Sequence, residues 1–121
     1  GVPTRVLGAE PAGASEAHDS LARGERITVH ASDTVCDGLR ATFGEINFAM
    51  LRHHGVEVLT VPDDETLAAM RLLWQRLKLV VEPSSAIVLA AVLKHRERFA
   101  GQRIGLLLTG GNVDLDAMLP A

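Results

Sequence analysis

Near its end the chain carries a short apolar run, Ile104-Gly105-Leu106-Leu107-Leu108, that stops abruptly in Thr109-Gly110-Gly111-Asn112. Such an uninterrupted run is the pattern of a strand buried on both faces, as in a parallel sheet. In open α/β sheets, ligands collect outside the carboxyl ends of these strands. Two adjacent glycines let backbone approach a ligand closely, and Thr109 sets a hydroxyl where the strand ends. The same residues also suit a plain tight turn in which Asn112 bonds its own backbone.

The rest of the chain alternates strand and helix signals. Arg5 to Ala9 reads as a strand ending in the Glu10-Pro11 turn, and a helix is expected from Ala14 to Ala22, stopped by Gly24. Residues 25–42 lack periodicity and read as a long connection. A second helix places Ile46, Met50 and Leu51 on one face and ends at Gly55, and Val56 to Val61 is rich in β-branched residues, as a strand is. Asp63 is the expected N-cap of the clearest helix, in which Leu67, Met70, Trp74 and Leu77 recur at helical spacing. After the Glu82-Pro83 turn, Ser84 or Ser85 is expected to cap a helix from Ala86 to about Phe99, closed by Gly101. The alternation points to an α/β fold, a three-layer parallel-sheet arrangement rather than a bundle, with residues 1–121 forming a single unit.

Composition removes several functions. With 47% apolar residues among 121, the chain can bury a core covering about two-thirds of its unfolded surface. A net charge of −3 with scattered Lys and Arg speaks against a nucleic-acid partner, and three Phe, one Trp and no Tyr give no platform for stacked bases. No apolar run has the length of a bilayer span, and the start, Gly1-Val2-Pro3-Thr4-Arg5, lacks the basic-then-apolar order of a signal peptide. A lone cysteine, Cys36, forms no internal disulfide and suits a reducing compartment, so the cytoplasm is the expected location and no membrane the expected partner. Leu119-Pro120-Ala121 reads as a chain end.

Three constellations carry possible chemistry. Glu10 and Glu16 bracket a turn whose carbonyls are exposed, and together they offer hard oxygen ligands to Mg²⁺ or Ca²⁺; equally, acidic residues at a helix start satisfy its dipole. Glu82, between an apolar segment and a helix start, either faces a ligand or is a solvated cap residue. Thr109, at a strand's carboxyl end, can donate to a heteroaromatic nitrogen, which favours the neutral ring. The five histidines show no paired metal-ligand spacing, no Gly-x-Ser-x-Gly elbow is present, Cys36 reads as a small buried residue, and the Trp74 stripe reads as core.

Four segments in order, Glu10-Pro-Ala-Gly-Ala-Ser-Glu16, Thr34-Val-Cys-Asp-Gly-Leu-Arg40, Trp74-Gln-Arg-Leu-Lys78 with Glu82-Pro-Ser-Ser-Ala86, and Leu108-Thr-Gly-Gly-Asn-Val-Asp114, closely resemble the C-terminal part of pyridoxal-phosphate-dependent serine/threonine dehydratases and serine racemases, the tryptophan-synthase-β-like fold. The resemblance runs from about Arg5 to Leu115. It implies that Thr109 meets the cofactor's pyridine nitrogen and that Gly110 stands beside it. It implies further that the Gly38 backbone lies against the cofactor, and that Glu82 is a carboxylate close to the ring. Glu10, the carbonyl of Ala14, and Glu16 match the divalent-cation site. Cys36 stands where Ala is usual and Ser85 where Gly is usual; both are small and expected to be tolerated, with Ser85 the one that could crowd a close-packed helix start.

The resemblance also implies what lies elsewhere. The Schiff-base lysine, the Asn for the ring hydroxyl and the glycine-rich phosphate loop are expected upstream of Gly1, because Lys78 reads as a helix-end residue and Lys94 as an exposed helical one. The chain is therefore expected to be the C-terminal part of the large domain and inactive alone. The implied parent is a homo-oligomeric amino-acid ammonia-lyase acting on L-threonine or L-serine. Two alternatives are a stand-alone module that self-associates through exposed apolar surface, and a serine racemase with nucleotide near Lys78 and Asn112.

Overall fold

The computed structural model describes residues 3–118. Gly1-Val2 at the start and the expected chain end at Leu119-Pro120-Ala121 lie outside the described residues. Strand β1 (Leu7–Pro11) leads through a 3₁₀ turn (Ala12–Ala14) into helix α1 (Glu16–Arg23), which Gly24 ends in the left-handed conformation, φ 72°. A long connection containing a 3₁₀ turn (Asp37–Leu39) precedes α2 (Glu45–His53), then β2 (Glu57–Val61), α3 (Asp63–Leu77), α4 (Pro83–Lys94) and a terminal turn of helix, α5 (Leu115–Met118).

β1 and β2 pair in parallel, Leu7 opposite Glu57 through Pro11 opposite Val61. Alternation along β2 separates two faces. Leu59 and Val61 enter a core with Cys36, Ala69, Ile87, Ala90 and Ala91, so α4 covers that face and α3 packs upon α4. Val58 falls on the other face, where α1 contacts β2 and the His18 ring donates from Nδ1 to the Val58 carbonyl at 2.8 Å. The α/β layering around a parallel sheet is as the sequence implies. A second cluster, Met70, Leu73, Val81 and Ala86, joins α3 to the start of α4, with Leu67, Trp74, Leu108 and Met118 packed around it. Trp74 also ties its indole N–H to the Val81 carbonyl, 2.9 Å.

Several local expectations are corrected. Pro62, not Asp63, occupies the N-cap position of α3, because the Asp63 carboxylate is taken by Thr34 and Val35 across the fold. Glu82 stands at the N-cap of α4 with Pro83 opening its first turn, a position where a missing N–H costs nothing, so Ser84 and Ser85 are inside the helix with their hydroxyls free for other partners. Regular helix ends at Lys94 rather than Phe99. Leu77 is exposed, and the buried face of α3 is Thr66, Ala69, Met70 and Leu73. In α2, Ile46 and Met50 are exposed, since no described element packs on that face.

The largest correction concerns the run before Thr109. Residues 103–108 form no strand, and Leu107 is 78% exposed. A strand exists only through hydrogen bonds to a neighbour, and among the described residues β1 and β2 pair solely with each other.

Candidate functional site

The first turn of α4 gathers segments far apart in sequence. Ser84 Oγ accepts the Gly38 backbone N–H at 3.1 Å, an N–H also directed at Asp37 Oδ1, 2.8 Å away. One residue on, Ser85 Oγ accepts the Thr109 N–H at 3.0 Å. The Glu82 N–H donates to the Gly110 carbonyl at 3.1 Å. A Cβ on Gly110 would stand 3.1 Å from Glu82 Cδ and closer still to its Oε1, and one on Gly111 would stand 2.5 Å from the Val80 carbonyl oxygen. At Gly111 the obstacle is backbone, so only glycine permits the approach, whereas at Gly110 a side chain would displace the Glu82 carboxylate. Thus Gly38, Glu82, Thr109 and Gly110 share one neighbourhood, with Gly38 and Thr109 exposed and the other two half-buried. Ser85 is accommodated at the helix start, buried and bonded.

A second set of residues, which local sequence pattern does not reveal, holds the Gly38 turn from behind. Thr34 Oγ1 donates to Asp63 Oδ1 at 2.6 Å, the Val35 N–H donates to Asp63 Oδ2 at 2.8 Å, and the Cys36 N–H donates to Thr34 Oγ1 at 3.1 Å. Arg40 closes the loop by donating from Nε and Nη2 to the Thr34 carbonyl, 3.1 and 2.6 Å. Asp63 and Thr34 are 29 residues apart, so the only available sign was an acidic residue at a helix start, which has a nearer explanation in the helix dipole. Cys36 is fully buried, and burial pushes its thiol up to about 11, which makes it a packing residue rather than a nucleophile.

At the same carboxyl end of the sheet, where Glu10 pairs with Thr60 two residues before Pro62, Glu10 and Glu16 have different surroundings. The Glu10 carboxylate accepts the N–H groups of Ala17 and His18 at 3.0 and 2.8 Å, so β1 supplies the cap that α1 lacks from its own Ser15. Glu16 is 3% exposed; its Oε1 accepts the Phe43 N–H at 2.7 Å, while its Oε2 is buried without a partner. Burial raises both carboxyls above their ordinary range, and the Glu16 charge adds to the rise at Glu10. Ala14, buried, ends the turn between them. A buried carboxylate oxygen without a donor, beside a second carboxylate, fits a hard cation. Among the described residues no group of three or more His, Cys, Asp or Glu is arranged to hold a metal, so such a site would rest on these two carboxylates and a carbonyl.

The chain's two lysines are occupied elsewhere. Lys78, in the left-handed conformation at the end of α3, donates from Nζ to the Gln75 carbonyl at 2.7 Å, and Lys94 Nζ lies 4.0 Å from Glu65. Among the described residues no helix is long and apolar enough to cross a membrane.

Residues 1–110 match the family model of the pyridoxal-phosphate-dependent enzymes. The chain belongs to that family. This pyridoxal-phosphate-dependent enzyme chain is 44% identical over 115 residues to the beta-hydroxyaspartate dehydratase of Paracoccus denitrificans (strain Pd 1222), an alignment covering 95% of the chain and 36% of that protein. Among solved structures it is similar to a threonine deaminase from T.th., at a TM-score of 0.87 and 45% identity, covering 93% of this chain and 42% of that one. The serine racemase of maize matches at a TM-score of 0.86 and 38% identity, covering 94% and 36%. The chain spans little more than a third of the curated relatives it matches. Its relatives are pyridoxal-phosphate-dependent lyases and racemases of the tryptophan-synthase-β-like fold, as the four segments imply.

The residues present fit that cofactor. Thr109, held through its backbone N–H to Ser85, is exposed and offers a neutral hydroxyl in the same neighbourhood as the Glu82 carboxylate and the exposed Gly38 backbone.

Proposed function

We propose that this chain forms one wall of the active site of an amino-acid ammonia-lyase that converts L-threonine to 2-oxobutanoate and ammonia, or L-serine to pyruvate and ammonia. The observation that supports it is the gathering of Gly38, Glu82, Thr109 and Gly110 around the first turn of α4. Bound pyridoxal phosphate supplies the electron sink that labilises the substrate's α-proton. In this reading the Thr109 hydroxyl donates to the ring nitrogen; a neutral donor leaves the ring less electron-demanding than a carboxylate partner would, which favours β-elimination over transamination. The Gly38 backbone lies along the cofactor, where a side chain would meet Ser84. Glu82 sets a carboxylate near the ring's edge, and Gly110 keeps that approach open.

The lysine that would carry the cofactor and move the α-proton belongs to a segment other than these residues, since Lys78 and Lys94 are engaged on helix surfaces. The 121 residues alone are therefore inactive in this reading. Glu10, the Ala14 carbonyl and Glu16 hold Mg²⁺ or Ca²⁺, which satisfies the orphaned Glu16 oxygen. Exposed Ile46, Met50 and Leu107 are covered in a homo-oligomer or by further polypeptide, and the single buried cysteine suits the cytoplasm.

The test is 2-oxo acid formation from L-threonine and L-serine by the natural protein that carries this sequence, supplied with pyridoxal phosphate. Thr109→Ala is expected to lower kcat about tenfold, the worth of one hydrogen bond of about 1.4 kcal/mol to the ring. D-serine as the main product from L-serine would instead establish the racemase reading. Absence of cofactor binding in the natural protein would leave a non-catalytic, self-associating module.

A further inference from the structure

Successive residues on a helix point about 100° apart, so two neighbouring side chains in a first turn reach to different sides of its end. Ser84 and Ser85 do this: Ser84 holds the Gly38 turn, and Ser85 holds the Thr109 loop, 71 residues further along the chain than Gly38. Neither hydroxyl caps its own helix, whose N-cap position belongs to Glu82. Ser85 is 1% exposed, and its hydroxyl has been given a backbone N–H to accept in a place where an apolar side chain would pack without one.

We propose that Ser84 and Ser85 are positioning residues that together set the width of the cofactor slot, given the site proposed above: one prong fixes the Gly38 wall and the other fixes the wall that bears Thr109. Removing a prong lets its wall move while the other stays. The two prongs are unequal. The Gly38 N–H has a second acceptor in Asp37, whereas among the described residues the Thr109 N–H is directed at Ser85 alone. Ser85 is therefore the dominant prong, acting on the hydroxyl that meets the ring.

The experiment compares Ser84→Ala, Ser85→Ala and Ser85→Thr in the natural protein that carries this sequence, with site-resolved amide exchange before pyridoxal phosphate is added and with cofactor titration afterwards. Ser85→Ala is expected to speed exchange of the Thr109 amide about five- to tenfold and leave Gly38 unchanged, and Ser84→Ala to speed Gly38 by less than that. Ser85→Ala should also weaken cofactor binding by a similar factor and shift the pH profile of the bound cofactor's absorption band. Ser85→Thr, which keeps the hydroxyl, should restore both. Unchanged Thr109 exchange in Ser85→Ala overturns the clamp itself. Faster exchange with unchanged cofactor affinity and band overturns its role in setting the slot. A wild-type protein that binds no pyridoxal phosphate also overturns that role, and there the failure lies with the proposed function, because the exchange data still report whether the prongs hold.

Discussion

Replacing Gly13 by alanine should be among the most damaging single-methyl changes in this chain, and the reason is steric. A Cβ at Gly13 would stand 3.0 Å from the Asp33 carbonyl carbon and closer still to its oxygen, a backbone atom that cannot swing aside. The Asp33 N–H also donates to the Gly13 carbonyl at 2.9 Å, so the two backbones are joined where they would have to part. Overpacking of this kind costs about 1–3 kcal/mol, and loss of the bond adds about 0.5–1.5 kcal/mol, giving about 2–4 kcal/mol in all. With a urea slope of about 2 kcal/mol/M, the middle of the usual range, the midpoint should fall by about 1–2 M. The assay is equilibrium unfolding followed by the fluorescence of Trp74, the only tryptophan. Gly24→Ala is the control, because Gly24 has φ 72° and open space around it; its cost of about 1–2 kcal/mol would be conformational alone. A Gly13→Ala midpoint within experimental error of wild type, or a smaller loss than Gly24→Ala, would refute the steric argument.

Three further outcomes follow from the buried polar groups. Asp63→Ala should destabilise by about 3 kcal/mol in thermal or urea melts, since it strands the Thr34 hydroxyl and the Val35 N–H together, with Asp63→Asn losing less. Glu10 and Glu16, whose carboxyls burial raises, bind their protons more tightly folded than unfolded. The native state therefore holds more protons above the unfolded value of about 4.3, and stability should fall as pH climbs from there through the raised values. Glu16→Gln should flatten that decline in urea melts across about pH 4–8; an unchanged slope would contradict the assignment. Cys36 should resist iodoacetamide in the native state at about pH 8 and react once unfolded, as read by mass spectrometry, because its thiol is both buried and held at about 11.

What the amino-acid order reveals here depends on how far each interaction reaches. The helix-ending Gly24 acts within one turn, and the Ala14 to Ala22 expectation overlaps the observed α1 closely. The β-branched stretch before Pro62 became β2 for the same reason. Asp63 misled because a carboxylate at a helix start has a local use, the cap, and a distant one, Thr34, and the distant one prevailed. Ser84 and Ser85 misled in the same manner, their hydroxyls leaving their own helix for Gly38 and Thr109. The run before Thr109 has the composition of a strand, yet strand formation belongs to a pair of segments, and its pattern alone says nothing of a neighbour. The neighbourhood of Gly38, Glu82, Thr109 and Gly110 was legible through family likeness, whereas the serines that assemble it and the Asp63 brace behind it are visible only in three dimensions.

The parallel pairing of Leu7 with Glu57 has a consequence for how the chain comes into being. The ladder closes a loop of about 50 residues, so its entropy must be spent before any of its bonds forms. During synthesis β1 leaves the ribosome about 50 residues before β2, and the edge it offers to β2 lacks that partner until Val61 has emerged. A chaperone acting between those two events would find that edge without its β2 partner.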